Sequence, residues 1–109
     1  MAMGKKGYAK LQKMQALCAD VEADNRRLEH CLRSLKAAEK RRVALQDFYE
    51  RDWLRLAESP DLSAAQAAGL QALVAEGGYS VLGQDTIWNA LSDQHALRLK
   101  LLKHLAKHL

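Results

Sequence analysis

A chain of 109 residues has room for one domain and one hydrophobic core. Its 49% hydrophobic and 28% charged composition excludes a disordered chain, and it contains no run of about 18 apolar residues that could span a membrane. The first residues, Met1 to Lys6, lack the apolar stretch of a secretory signal, so the protein reads as cytoplasmic with no membrane role. The net charge of +4 conceals a segregation. Residues 1–56 carry a net +5, residues 57–96 a net −5 with no Lys or Arg at all, and residues 97–109 a net +4. The middle can therefore neutralise the two ends, within one chain or between two, which weakens any argument from basicity to nucleic acid.

Residues 1–7 read as a disordered N-terminus. From Tyr8 to Glu58 no Gly or Pro interrupts the chain, and apolar residues recur at helical spacing. This predicts one helix over 8–58, about 75 Å long at 1.5 Å per residue, or two helices hinged near 36–42 in the sequence KAAEKRR. Ala37 and Ala38 favour continuity there. Leu11, Met14, Cys18, Val21, Asn25, Leu28, Leu32 and Leu35 alternate three- and four-residue steps, the a and d positions of a coiled-coil seam. Asn25 falls at an a position, where a buried Asn lowers stability yet fixes register and strand number; the alternative is the solvated edge of a globular helix. Beyond Leu35 the heptad breaks, and the apolar stripe resumes at Leu45, Phe48, Tyr49, Trp53 and Leu56.

Ser59-Pro60-Asp61 ends this segment, because Pro lacks an N–H while Ser and Asp suit turns. Ser63-Ala64-Ala65-Gln66 has the form of a capping box opening a short helix over 63–76, which stops at Gly77-Gly78. Gly69 inside it would permit close approach of another helix. Gly83 is placed to cap a last helix over 84–108, with Asp85 complementing its positive end and Lys100, Lys103, Lys107 and His108 its negative end.

No Gly-rich phosphate loop, nucleophile elbow or HExxH motif is present, so the chain reads as a non-enzyme requiring no cofactor. Asp52 and Asp85 are the acids in motif-like surroundings, and Asp85 is best read as a helix N-terminal charge. His104 and His108 share a helix face and make an incomplete metal site, with a C-terminal capping role as the better reading. Cys18 and Cys31 read as small, reduced, buried apolar side chains. Arg26, Arg27, Arg33, Lys36, Lys40, Arg41 and Arg42 form a basic stretch that could lie on phosphates. The interleaved pairs Glu22 with Arg26 and Glu29 with Arg33 favour a self-paired solvated face instead.

Two segments carry a resemblance. Phe48-Tyr49-Glu50-Arg51-Asp52-Trp53-Leu54 and Val81-Leu82-Gly83-Gln84-Asp85-Thr86-Ile87-Trp88-Asn89-Ala90-Leu91 resemble the Tyr…Asp-Trp-Leu helix and the Val-Leu-Ser-Glu-Asp-x-(Val/Leu)-Tyr-x-Leu-Leu signature of a family of small bacterial helical proteins of unknown function. Gly83 stands where that signature has a capping Ser, and Trp88 where it has Tyr. The resemblance implies an all-helical fold and a bacterial origin, and no activity.

The expected architecture is all-α: a long N-terminal helix packed with one short and one long C-terminal helix in an antiparallel bundle. Its core is expected at Leu45, Phe48, Tyr49, Trp53, Leu56, Ile87, Trp88 and Leu91. The seam from Leu11 to Leu35 then needs a partner, and a second copy of the chain supplies one as a coiled-coil dimer. The expected function is that of a helical protein-interaction module, a homodimeric adaptor or chaperone-like protein with a protein partner. A nucleic-acid-associated protein using residues 26–42 is the alternative.

Overall fold

A computed structural model describes residues 2–58 and 60–109. The fold is all-α, with no strand among the described residues. Helix α1 spans Lys5–Phe48, a π-helical turn follows at Tyr49–Trp53, and α2 at Leu54–Glu58 completes this first helical run. Helices α3 (Ala64–Glu76) and α4 (Thr86–Lys107) follow. The chain divides into two units, residues 1–40 and residues 41–109.

In the first unit α1 begins at Lys5, where the Tyr8 N–H donates to the Gly4 carbonyl at 3.0 Å. Residues 5–7, read from sequence as disordered, are therefore helical: Lys5 and Lys6 are good helix formers, and one Gly is a small cost beside a closed backbone hydrogen bond. Met1 lies outside the described residues. Helical backbone continues without a break through residues 36–42, as two alanines and four long basic side chains would favour.

In the second unit the π turn sets the packing. A π-helix closes i to i+5 hydrogen bonds, so one turn inserts roughly one residue and rotates everything after it. Tyr49 and Trp53 consequently meet, with ring centroids 5.5 Å apart and planes tilted by 44°. The Trp53 indole Nε1 donates to the Val81 carbonyl at 2.8 Å, joining the first helical run to the connector before α4. Ahead of the turn, Arg42 donates to Gln46 and Gln46 to Glu50, both at 3.1 Å, a ladder along one face. Ile87, at 2% exposed, is the one buried residue among those described.

Of the other residues expected in the core, Leu45, Phe48, Tyr49, Trp53 and Leu91 are half-buried, while Leu56 is 44% and Trp88 58% exposed. The shift at Leu56 follows from the π turn. The half-buried position passes to Ala57, four residues after Trp53, and Leu56 turns outward. Trp88 is adjacent to Ile87, and consecutive helix residues point about 100° apart, so burying Ile87 sends Trp88 to the surface.

The short helix begins as its sequence dictates. Ser63 Oγ accepts from the Gln66 N–H at 3.1 Å and Gln66 Oε1 accepts from the Ser63 N–H at 3.0 Å, a reciprocal capping box. The terminating turn before it was assigned to Ser59-Pro60-Asp61, of which Ser59 lies outside the described residues. Helix α3 ends where Gly77 (φ 148°) and Gly78 (φ 89°) enter backbone conformations that L side chains rarely adopt. Gly69 has open space where a Cβ would lie, so no described residue of the second unit closes on it there.

The start of α4 differs from expectation. Its N-cap is Asp85, without a side-chain capping bond, and Gly83 belongs to the preceding turn, where its N–H donates to the Ser80 carbonyl at 3.0 Å. A Cβ at Gly83 would lie 2.6 Å from Thr86 Oγ1 and 3.1 Å from the Ser80 carbonyl oxygen. The compactness of this turn, rather than capping, accounts for glycine at this position.

Two stability effects follow. Trp53→Phe keeps the ring and leaves the half-buried Val81 carbonyl without its donor, which should cost about 1–3 kcal/mol in urea denaturation followed by circular dichroism. Ser63→Ala removes the capping box and should weaken α3 by about 1 kcal/mol. Amide exchange should then accelerate about fivefold in residues 64–70 and remain unchanged in α4.

Candidate interaction surfaces

The seam residues occupy one stripe of α1. Leu11, Met14, Val21, Leu28, Leu32 and Leu35 are all exposed, as are Cys18 and Asn25. A sheltered role for the cysteines is not what the single chain provides. Both thiols are free and exposed, and Cys18 donates to the Glu22 carboxylate at 3.4 Å.

The basic stretch lies on the same helix. Arg26, Arg33, Lys36, Lys40 and Arg41 are exposed, and Arg27 pairs with Asp24 at 3.0 Å across one turn. Arg42 is half-buried and committed to Gln46. The i, i+4 pairs expected at Glu22 with Arg26 and Glu29 with Arg33 do not close among the described residues. Glu22 instead accepts from Cys18.

Helix α3 is exposed along its whole length, although its sequence, AAQAAGLQALVAE, is dominated by apolar residues. An open groove of about 430 Å³ runs beside it, bounded by Leu62, Ala67, Leu70 and Val74 and, from the connector, by Ser80 and Leu82. Sequence reasoning treated this helix as a bundle member and missed it as a surface. The missed signal was the scarcity of polar residues on any side of it, which is the pattern of a helix covered all round.

Helix α4 changes character along its length. Ile87 is buried and Leu91 half-buried, while Leu97, Leu99, Leu101, Leu102 and Leu105 are exposed. At about 100° per residue, Leu97, Leu101 and Leu105 continue the side that Ile87 buries, and Leu99 and Leu102 broaden it. Lys100, Lys103 and Lys107 fall on the other side.

A second open groove, about 590 Å³, lies at the start of α4 between Tyr79, Asp85, Thr86, Asn89, Ala90 and Asp93. It contains Asp85, singled out from sequence. Asp52 is instead paired with Arg55 at 2.9 Å. The lining of this groove offers hydroxyls, one amide and two carboxylates, and brings no histidine or lysine to act as a base beside a nucleophile.

His104 and His108 do meet, with ring centroids 4.7 Å apart. No cluster of three or more His, Cys, Asp or Glu side chains suited to a metal ion occurs among the described residues. No described helix is long and apolar enough to cross a membrane.

Comparison with curated proteins and with solved structures finds no match. A family model described as a domain of unknown function, DUF4298, matches residues 11–104, from the first residue of the apolar stripe on α1 to His104 in the last turn of α4. The chain belongs to that DUF4298 family.

Proposed function

We propose that this protein is a helical protein-interaction module that works without catalysis, as a homodimeric adaptor or chaperone-like protein. The observation that carries this reading is the bare seam on α1, where six large apolar side chains between Leu11 and Leu35 are exposed. Each would contribute roughly 1.5–3 kcal/mol if fully buried. Exposed apolar area of this extent and regularity marks a surface that meets another macromolecule.

Three features support a second copy as the partner. The alternating three- and four-residue spacing suits a facing helix with the same spacing. Asn25 interrupts the seam at an a position, where it can pair with its own counterpart. Cys18, wet in the single chain, would be covered in the seam. The bound dimer would then present the open groove at the start of α4 to a protein client.

A nucleic-acid-associated role is the second reading, favoured by the exposure of Arg26, Arg33, Lys36, Lys40 and Arg41 on one helix. Titration with duplex DNA and with RNA at increasing salt separates the two. Binding that weakens steeply with salt would support the second reading. The first reading expects none.

Sedimentation at micromolar concentration should give a dimer, and a monomer would overturn the proposal. Leu28→Lys places a charge in the seam and should reduce association at least tenfold, with helix content in the second unit retained. Asn25→Leu should raise the melting temperature and broaden the distribution of oligomers, because it removes the polar residue that limits register and strand number. Unchanged stoichiometry would argue against that role for Asn25.

A further inference from the structure

The second unit leaves two apolar helical surfaces uncovered, and they are complementary in length, breadth and charge. Helix α3 has 13 residues, and from Leu62 to Ala75 it and its approach carry no charged residue. The bare end of α4, from Leu97 to Lys107, has 11 residues. At 1.5 Å per residue the two span about 20 and about 17 Å.

Their flanking charges are opposite. The charged residues next to α3 are Glu58, Asp61 and Glu76, with no base between residues 57 and 96, and residues 97–109 bear four bases and no acid. Pairing the α4 end with its own copy would bring like charges together, and pairing it with basic α1 would do the same. Only the segment around α3 offers an uncovered apolar helix of opposite charge.

The surfaces also suit one another in kind. The α4 side that buries Ile87 at its start continues exposed through Leu97, Leu101 and Leu105, with Arg98 set among them, and with Leu99 and Leu102 its apolar surface is wider than a coiled-coil seam. It therefore calls for a partner that accepts apolar contact broadly. The α3 groove of about 430 Å³, bounded by Leu62, Leu70, Val74 and Leu82, offers leucines an apolar lining.

Within one chain the pairing is blocked by the connection. Helix α3 is joined to the beginning of α4 through residues 77–85, so an antiparallel hairpin would lay its 13 residues beside the first half of α4 and leave the end bare. A second copy has no such restriction.

We infer that in the dimer α3 of one protomer docks on the Leu97–Leu105 side of α4 in the other, and reciprocally. This rests on the dimeric reading above and adds a second, charge-complementary contact to the α1 seam. Isologous symmetry supplies both copies of the contact at once.

Disulfide trapping between differently tagged chains tests it, in a Cys18→Ser, Cys31→Ser background. One chain carries Leu70→Cys or Val74→Cys, and the other Leu101→Cys or Leu105→Cys. At least one of the four pairings should link the two chains, and replacing the second cysteine by Lys103→Cys on the opposite side should abolish the link. A separate pair of chains, both carrying Asn25→Cys, reports the α1 seam. If the Asn25→Cys chains link and the protein sediments as a dimer while none of the four pairings forms, the docking inference is overturned and the dimeric reading stands. If the protein sediments as a monomer, both fall. Linkage confined to a single chain carrying Val74→Cys and Leu101→Cys together also overturns the inference.

Discussion

An amphipathic helix is stable in water only when its apolar side is covered, and most of this molecule follows from how little covering a single chain provides. Nearly half of its residues are hydrophobic, yet among those described only Ile87 is removed from solvent. In ordinary small domains the helices shelter one another around a shared core. Here α1, α3 and the end of α4 each display leucines to water. Secondary structure is locally well specified, by uninterrupted helix formers in α1 and by the capping box in α3, while tertiary burial is slight among the described residues.

What tertiary structure the second unit has is organised around one aromatic side chain. Trp53 is placed by the π turn, leans on Tyr49 and donates to the Val81 carbonyl. That bond anchors the connector ahead of α4 within the tight Ser80–Gly83 turn, shortly before α4 begins and delivers Ile87 inward. A π turn costs hydrogen-bond geometry relative to an α turn and is frequently found at functional positions. In this chain its effect is concrete, since it exchanges Leu56 for Ala57 on the inner side and so keeps a leucine at the surface.

The sequence made the helical nature of the chain plain, because long helices need strong helix formers and few breakers, and both conditions can be read residue by residue. Ser63 and Gln66 identified the start of α3 through a mechanism confined to four residues. The alternating three- and four-residue spacing of apolar residues from Leu11 to Leu35 is legible for the same reason, being local. Legibility failed where an outcome depended on a register change or on distant contacts. Nothing in Tyr49 to Trp53 marks a π turn, so the outward rotation of Leu56 was hidden. The exposure of Trp88 followed from a choice between neighbouring apolar residues that only packing decides. Gly83 was read as a cap because a glycine before a helix often is one, whereas its tight contacts with Thr86 and Ser80 arise from the turn.

The glycine pair after α3 has a stereochemical consequence for how the molecule can vary. Gly77 at φ 148° occupies torsion space nearly closed to every residue with a β-carbon, and Gly78 at φ 89° is scarcely less restrictive. Mutation therefore has almost no accessible route by which to stiffen this junction with a side chain. The most apolar helix of the protein is thus followed by a junction that chirality itself keeps bare of side chains.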